Sequence, residues 1–212
     1  MRFRTFDGTP IEDIVEYVSG ALARNPTLTV SVGCDSSPQR PATYAVTVVL
    51  YDSTSKKGAH VVFSTQSHDL LPRDVVGRLQ REYELALSVA ELLDAGLSGR
   101  HARLDLTDME RKRYKYHLLC NDGLYPHSPY DEQAVISSVT LTEADSNATY
   151  RFVDIHMDYN SAEVSNGTRG TKRNKSNVSY RSWVPYLRSL GYRVFVKPSA
   201  FAASSAADIL LH

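Results

Sequence analysis

Cysteine is scarce: Cys34 and Cys120 are the only two in 212 residues. They lack the C-x-x-C spacing of a zinc knuckle or a redox dithiol, so neither is signalled. Two reduced thiols are expected, as in a cytoplasmic protein. Long apolar runs are missing as well. Nothing approaches the roughly 18 residues that a membrane span needs, and the opening MRFRTFDGTP carries no apolar signal-peptide core. Charge of one sign is absent, since 24 Lys and Arg balance 24 Asp and Glu. Any contact with nucleic acid must therefore come from a local basic patch rather than from net charge. The H-E-x-x-H and H-x-E spacings of zinc hydrolases are also lacking, which leaves a histidine zinc site as the weakest option.

What is present fits one globular domain, with 42% hydrophobic and 23% charged residues. A helix is predicted from Pro10 to Asn25, capped by Thr9, with Ile11, Ile14, Val15 and Val18 as its stripe. Three strands follow: LTVSVGCDSS, TYAVTVVLYD and AHVVFSTQS. The second and third are joined by the glycine-containing loop DSTSKKG. Apolar spacing of three to four residues from Pro72 to Ala95 then predicts a long helix. Residues 97–147 read as an insertion containing a short helix at ERKRYKYHLL, a loop, and a strand at QAVISSVTLT. TYRFVDIHMDY is a strand, residues 160–177 a polar loop, Val178 to Leu190 a helix, YRVFVK a strand, and PSAFAASSAADILLH an alanine-rich helix. A three-strand meander followed by alternating elements predicts an α/β protein with a mixed sheet flanked by helices, the order of an RNase H fold.

Carboxylates fall at telling places in this order. Asp35 ends the first long strand, although an Asp before two serines is also an ordinary turn residue. The long helix offers Glu82, Glu84 and Glu91, and Glu84 lies next to the side marked by Tyr83, Leu87 and Ala90. Asp154, His156 and Asp158 alternate on one face of their strand. Three such side chains are costly to bury without metal or partners. Asp208 lies near the start of the last helix, where an acid is also a plain cap. Converging acidic oxygens suit Mg²⁺ or Mn²⁺, hard cations that take hard oxygen ligands.

Four segments carry a resemblance: VSVGCDSS, REYELALSVAELL, VDIHMDYN, and KSNVSYRSWVPYLRSLGYRVFVKPSAFAASSAAD. Together they resemble the bacterial and phage family of RNase H-like nucleases of the YkuK type. The resemblance implies metal-dependent cleavage of RNA, DNA or an RNA–DNA hybrid. Asp35, Glu84, Asp158 and Asp208 would be the catalytic metal ligands, with Glu82 competing for the place of Glu84. Two such ions, roughly 3.5–4 Å apart, would activate water and steady the leaving oxygen. The chain departs from the family at Ser199, where an acidic residue usually follows VKP, and over residues 97–147, which have no counterpart.

Basic residues complete the pattern. Arg169, Lys172, Arg173 and Lys175 follow the Asp158 strand and are expected to meet backbone phosphates, as is Lys197. Arg111 to Tyr116 interleave charge with aromatic rings, as single-strand binders do. His156 is a candidate for moving protons or for a structural place. The alternative reading is an inactive module of the same fold that binds nucleic acid or protein.

Overall fold

The computed structural model describes residues 1–52, 58–69, 74–101, 106–121, 132–159, 175–197 and 199–211. The chain opens on a small hairpin, Phe3–Thr5 (β1) and Pro10–Ile11 (β2), paired antiparallel. Gly8 takes φ +90° in its turn, which favours glycine, and Thr5 and Thr9 close it with a 3.0 Å backbone bond. This corrects the expected helix start. Pro10 belongs to the hairpin, and the helix Ile14–Arg24 (α1) is capped by Asp13 instead of Thr9. The Asp13 carboxylate accepts from the amides of Val15 and Glu16 at 2.7 and 3.1 Å.

The predicted meander is present as Leu28–Ser36 (β3), Ala42–Asp52 (β4) and Ala59–His68 (β5), all antiparallel. The long helix Val75–His101 (α2) leads to three shorter ones, Asp108–Asn121 (α3), Glu132–Ser138 (α4) and Glu143–Asn147 (α5). Val153–Met157 (β6) then pairs parallel with β3. Lys175–Ser189 (α6) leads to Val194–Val196 (β7), which pairs parallel with β6. The sheet order is β2-β1-β5-β4-β3-β6-β7, so the expected mixed sheet flanked by helices is the fold observed. Among the described residues, no helix is long and apolar enough to cross a membrane. Cys34 and Cys120 are both buried free thiols.

The expected strand at QAVISSVTLT is helix α4. Its β-branched residues find no sheet edge. Ile136 and Val139 bury instead against Tyr116 and Cys120 of α3 in a small separate core. Local β-propensity loses here to tertiary packing.

The two faces of the sheet are covered differently. Val30, Val32 and Cys34 alternate towards α1 and α2 and join Val46, Val48, Ile155 and Met157 in the main core. α6 closes that layer, with Trp183 stacked on Tyr83 at 4.4 Å between ring centroids. Ser31, Gly33 and Asp35 face the other way, where the chain ends as a wide π-helical turn over Ala202–Ala207 and a 3-10 turn over Asp208–Leu210. The Thr47 hydroxyl donates to the Ala202 carbonyl at 2.8 Å, fixing this turn to the sheet. Gly33 permits the approach. A methyl group there would meet the Ala202 carbonyl carbon and the Ala203 nitrogen at 2.5 Å.

Gly33→Ala should therefore destabilise the protein by roughly 1–3 kcal/mol, the usual cost of overpacking, and lower Tm by several degrees. Gly20→Ala in α1, where the nearest atom outside the chain neighbours is Arg24 Nη1 at 3.6 Å, should leave Tm unchanged or slightly raised. Thermal unfolding of both variants checks this, and an unchanged Tm for Gly33→Ala would refute the contact.

Candidate active site

Three parallel strands, β3, β6 and β7, bring their carboxyl ends to one edge of the sheet. Asp35 is the next-to-last residue of β3, Asp158 directly follows β6, and Lys197 directly follows β7. β3 has an antiparallel neighbour on one side and a parallel one on the other. Ligand sites of open α/β sheets form outside strand carboxyl ends where the connections diverge in this way.

The electrostatics tie the group together. Burial pushes the Asp35 carboxyl up to about 6, and the negative charges of Asp158 and Asp208 add to the shift. The Ser36 amide, donating to Asp35 Oδ1 at 2.8 Å, and the Lys197 ammonium act against it. Glu82 reaches the same strand end from α2. It is 2% exposed, and burial, with the charges of Asp35 and Asp158, pushes it up to about 8 against the opposing pull of Ser36 and Arg78. The Ser36 hydroxyl donates to Glu82 Oε1 at 2.5 Å, and Lys197 Nζ lies 2.8 Å from Asp158 Oδ2. The second oxygens of both carboxylates, Glu82 Oε2 and Asp158 Oδ1, are buried without a hydrogen-bond partner. Such orphaned hard oxygens are a donor set that suits Mg²⁺ or Mn²⁺. Among the described residues, no three histidine, cysteine or carboxylate side chains stand close enough to form a finished metal cluster.

Of the four expected ligands, Asp35, Asp158 and Asp208 are coupled through charge, and Glu84 is not among them. Glu84 accepts from Gln80 at 3.0 Å and pairs with Arg81 at 3.0 Å, its side chain 41% exposed. The reason is helical geometry. Two positions along a helix turn by about 200°, so Glu82 and Glu84 point nearly oppositely. The buried residues Leu79, Tyr83, Ala86, Val89 and Leu93 mark the inner face, and Glu82 lies on it. That spacing is present in the sequence. Of the two glutamates weighed from the sequence, Glu82 is the one that the structure places at the strand end, and Glu84 lies at the surface with Arg81.

The remaining candidates separate. Asp154 does not join the group, because Arg193 holds it from Nε at 2.7 Å and Nη2 at 2.9 Å in a buried pair. His156 is buried also, and burial first, then the positive charge of Arg193 and the neighbouring His117, lowers it to about 3. Burial and Arg193 thus favour the neutral imidazole, which lies in a cleft with Asp154. His60 bonds Tyr17, and His68 bonds Arg81.

Arg111 donates to the carbonyls of Leu106, Asp145 and Ala148, Lys115 pairs with Asp145, and Tyr114 and Tyr116 are buried. Arg111, Tyr114, Lys115 and Tyr116 are thus committed to internal contacts, while Arg113 of the same segment is exposed. Arg169, Lys172 and Arg173 lie outside the described residues, as does the side chain of Lys175.

The raised Asp35 and Glu82 mean that the folded protein keeps protons which the unfolded chain releases. Their contribution to stability is present below the ordinary carboxylate range and is lost as pH rises through about 6 and about 8. Thermal unfolding in EDTA from about pH 5 to about pH 8 should show Tm falling, and Glu82→Gln should flatten that fall. A Tm rising over this range would contradict the burial of Glu82.

A profile of the family described as Ribonuclease H-like matches residues 10–117, just over half of the chain and including Asp35 and Glu82. No curated protein and no solved structure matches the chain.

Proposed function

Because the chain belongs to the Ribonuclease H-like family, we propose that it is a divalent-metal-dependent nuclease hydrolysing phosphodiester bonds of RNA, DNA or an RNA–DNA hybrid. The observation that carries this reading is the pair of buried, partnerless carboxylate oxygens, Glu82 Oε2 and Asp158 Oδ1, beside a carboxyl-rich strand end. Asp35, Glu82, Asp158 and Asp208 are the residues that would hold Mg²⁺ or Mn²⁺. Two bound ions would supply an activated water and stabilisation of the departing 3′ oxygen.

The protein's own groups set the stage for that chemistry. The Ser36 amide fixes Asp35 and the Ser36 hydroxyl fixes Glu82, so one residue orients two carboxylates. Lys197 offsets the charge of Asp158 and stands where a phosphate of the substrate would pass. The basic run Arg169, Lys172, Arg173 and Lys175 is assigned to phosphate contact by its place after Asp158 in the chain. The same reading makes residues 1–212 one domain with an insertion near 97–147, related to the YkuK-type nucleases of bacteria and phage and acting in the cytoplasm. A second reading, an inactive binding module of this fold, is favoured by the Lys197–Asp158 ion pair, which holds one of the carboxylates without a metal.

Labelled single-stranded RNA, double-stranded DNA and RNA–DNA hybrid, incubated with Mg²⁺, Mn²⁺ or EDTA, separate the two. Cleavage should need metal. Asp35→Asn and Glu82→Gln should each lose on the order of 100-fold or more, the scale of metal-supplied transition-state stabilisation, while Glu84→Gln stays near wild type. Folded protein that cuts none of these substrates with either metal favours the binding module.

A further inference from the structure

On the face of the sheet away from α1 and α2, the amino-terminal half of β3 opens into a cleft of about 280 Å³ whose lining includes Ser31, Tyr51, His117, His156, Phe195 and Phe201. We propose that this cleft is a binding site for a nucleobase, presented by a free nucleoside or by one base of a single strand. The inference is separate from the nuclease reading and does not depend on it. Ser31 is four residues before Asp35, roughly 13 Å along the strand, and the Gly33–Ala202 contact lies between them.

Three features select the ligand. The first is aromatic walls. The Phe201 ring lies 6.2 Å from Tyr51 and 4.4 Å from His156, and Phe195 lies 5.0 Å from His156, so a flat ring system would find π faces and edges on several sides. The second is a pair of polar groups. The Ala202 amide donates to His156 Nδ1 at 3.3 Å, which places the imidazole proton on Nε2. The His156 ring and the Ser31 hydroxyl both line the cleft, and both residues are 2% exposed. An aliphatic occupant would offer these two donors no acceptor, whereas the edge of a base does. The third is charge. Among the described residues, no lysine or arginine lines the cleft, and the Asp154 carboxylate at its wall is closed by Arg193, so these residues offer a phosphate no partner. The volume sits at the small end of ligand pockets, roughly 300 Å³, which suits a single base.

The test is NMR titration of the intact chain in EDTA, where cleavage plays no part, with adenosine, guanosine, cytidine and uridine, and separately with a short single-stranded oligonucleotide. The expected result is a saturable downfield shift of the His156 Nε2–H resonance with at least one of these probes. Phe201→Ala should weaken binding roughly tenfold, within the range of one base stacked on one ring. Phe201 is 39% exposed, and thermal unfolding of that variant checks that its fold is kept. Ser31→Leu, which fills the cleft, should abolish the shift. A shift with nucleosides identifies a free-base site, and a shift with the oligonucleotide alone identifies a strand-borne base. No His156 response to any probe, or a response that Phe201→Ala leaves unchanged, overturns the proposal.

Discussion

The parallel pairing of β3 with β6, in register from Val30–Val153 to Cys34–Met157, decides where everything chemical in this protein lies. With the strands level at these pairs, the residues just beyond them, Asp35 and Asp158, reach the same edge from segments more than a hundred residues apart in sequence. β7 follows β6 in parallel and adds Lys197. A slip of one residue would turn every side chain of β3 to the other face and exchange the apolar row Val30, Val32 and Cys34 for Ser31, Gly33 and Asp35. The main core thus enforces the register, and the register places the carboxylates.

Charge then accumulates at a place the core has made dry. Asp35 and Glu82 are both pushed up, and burial is the first cause in each case, with neighbouring carboxylates adding to it. Two cations and a hydroxyl soften the arrangement without completing it: Arg78 and Ser36 act on Glu82, and Lys197 lies on Asp158. The buried Arg193–Asp154 ion pair, by contrast, is closed. Arg193 grips both oxygens of Asp154. The contrast between this satisfied pair and the partnerless oxygens of Glu82 and Asp158 sets the carboxyl end of the sheet apart.

Much of this was legible in the sequence where periodicity was strong. The meander, the long helix and the strand around Ile155 could be read from alternation or from three-and-four spacing, and Asp35 and Asp158 followed from their strand ends. The errors have particular causes. Leu87 draws the helix face towards Glu84 in the sequence, whereas the buried row runs through Leu79, Tyr83, Ala86 and Leu93 and carries Glu82. The β-branched run at Val135 to Thr140 gave no sign that Tyr116 and Cys120 would offer it a helical packing partner. Asp154 and His156 alternated with Asp158 as expected, but Arg193, which pairs with Asp154, lies in the next strand region and no local pattern announces it. The opening hairpin was too short for any period to show.

The Tyr114 hydroxyl of α3 accepts from the Val194 amide at 3.1 Å. β7 is the outermost strand on its side, and an exposed row of outward amides and carbonyls invites a strand of another molecule to add on. A phenol from a neighbouring helix occupies one of those donors. Growth of the sheet by strand addition at that border would first have to displace a buried ring.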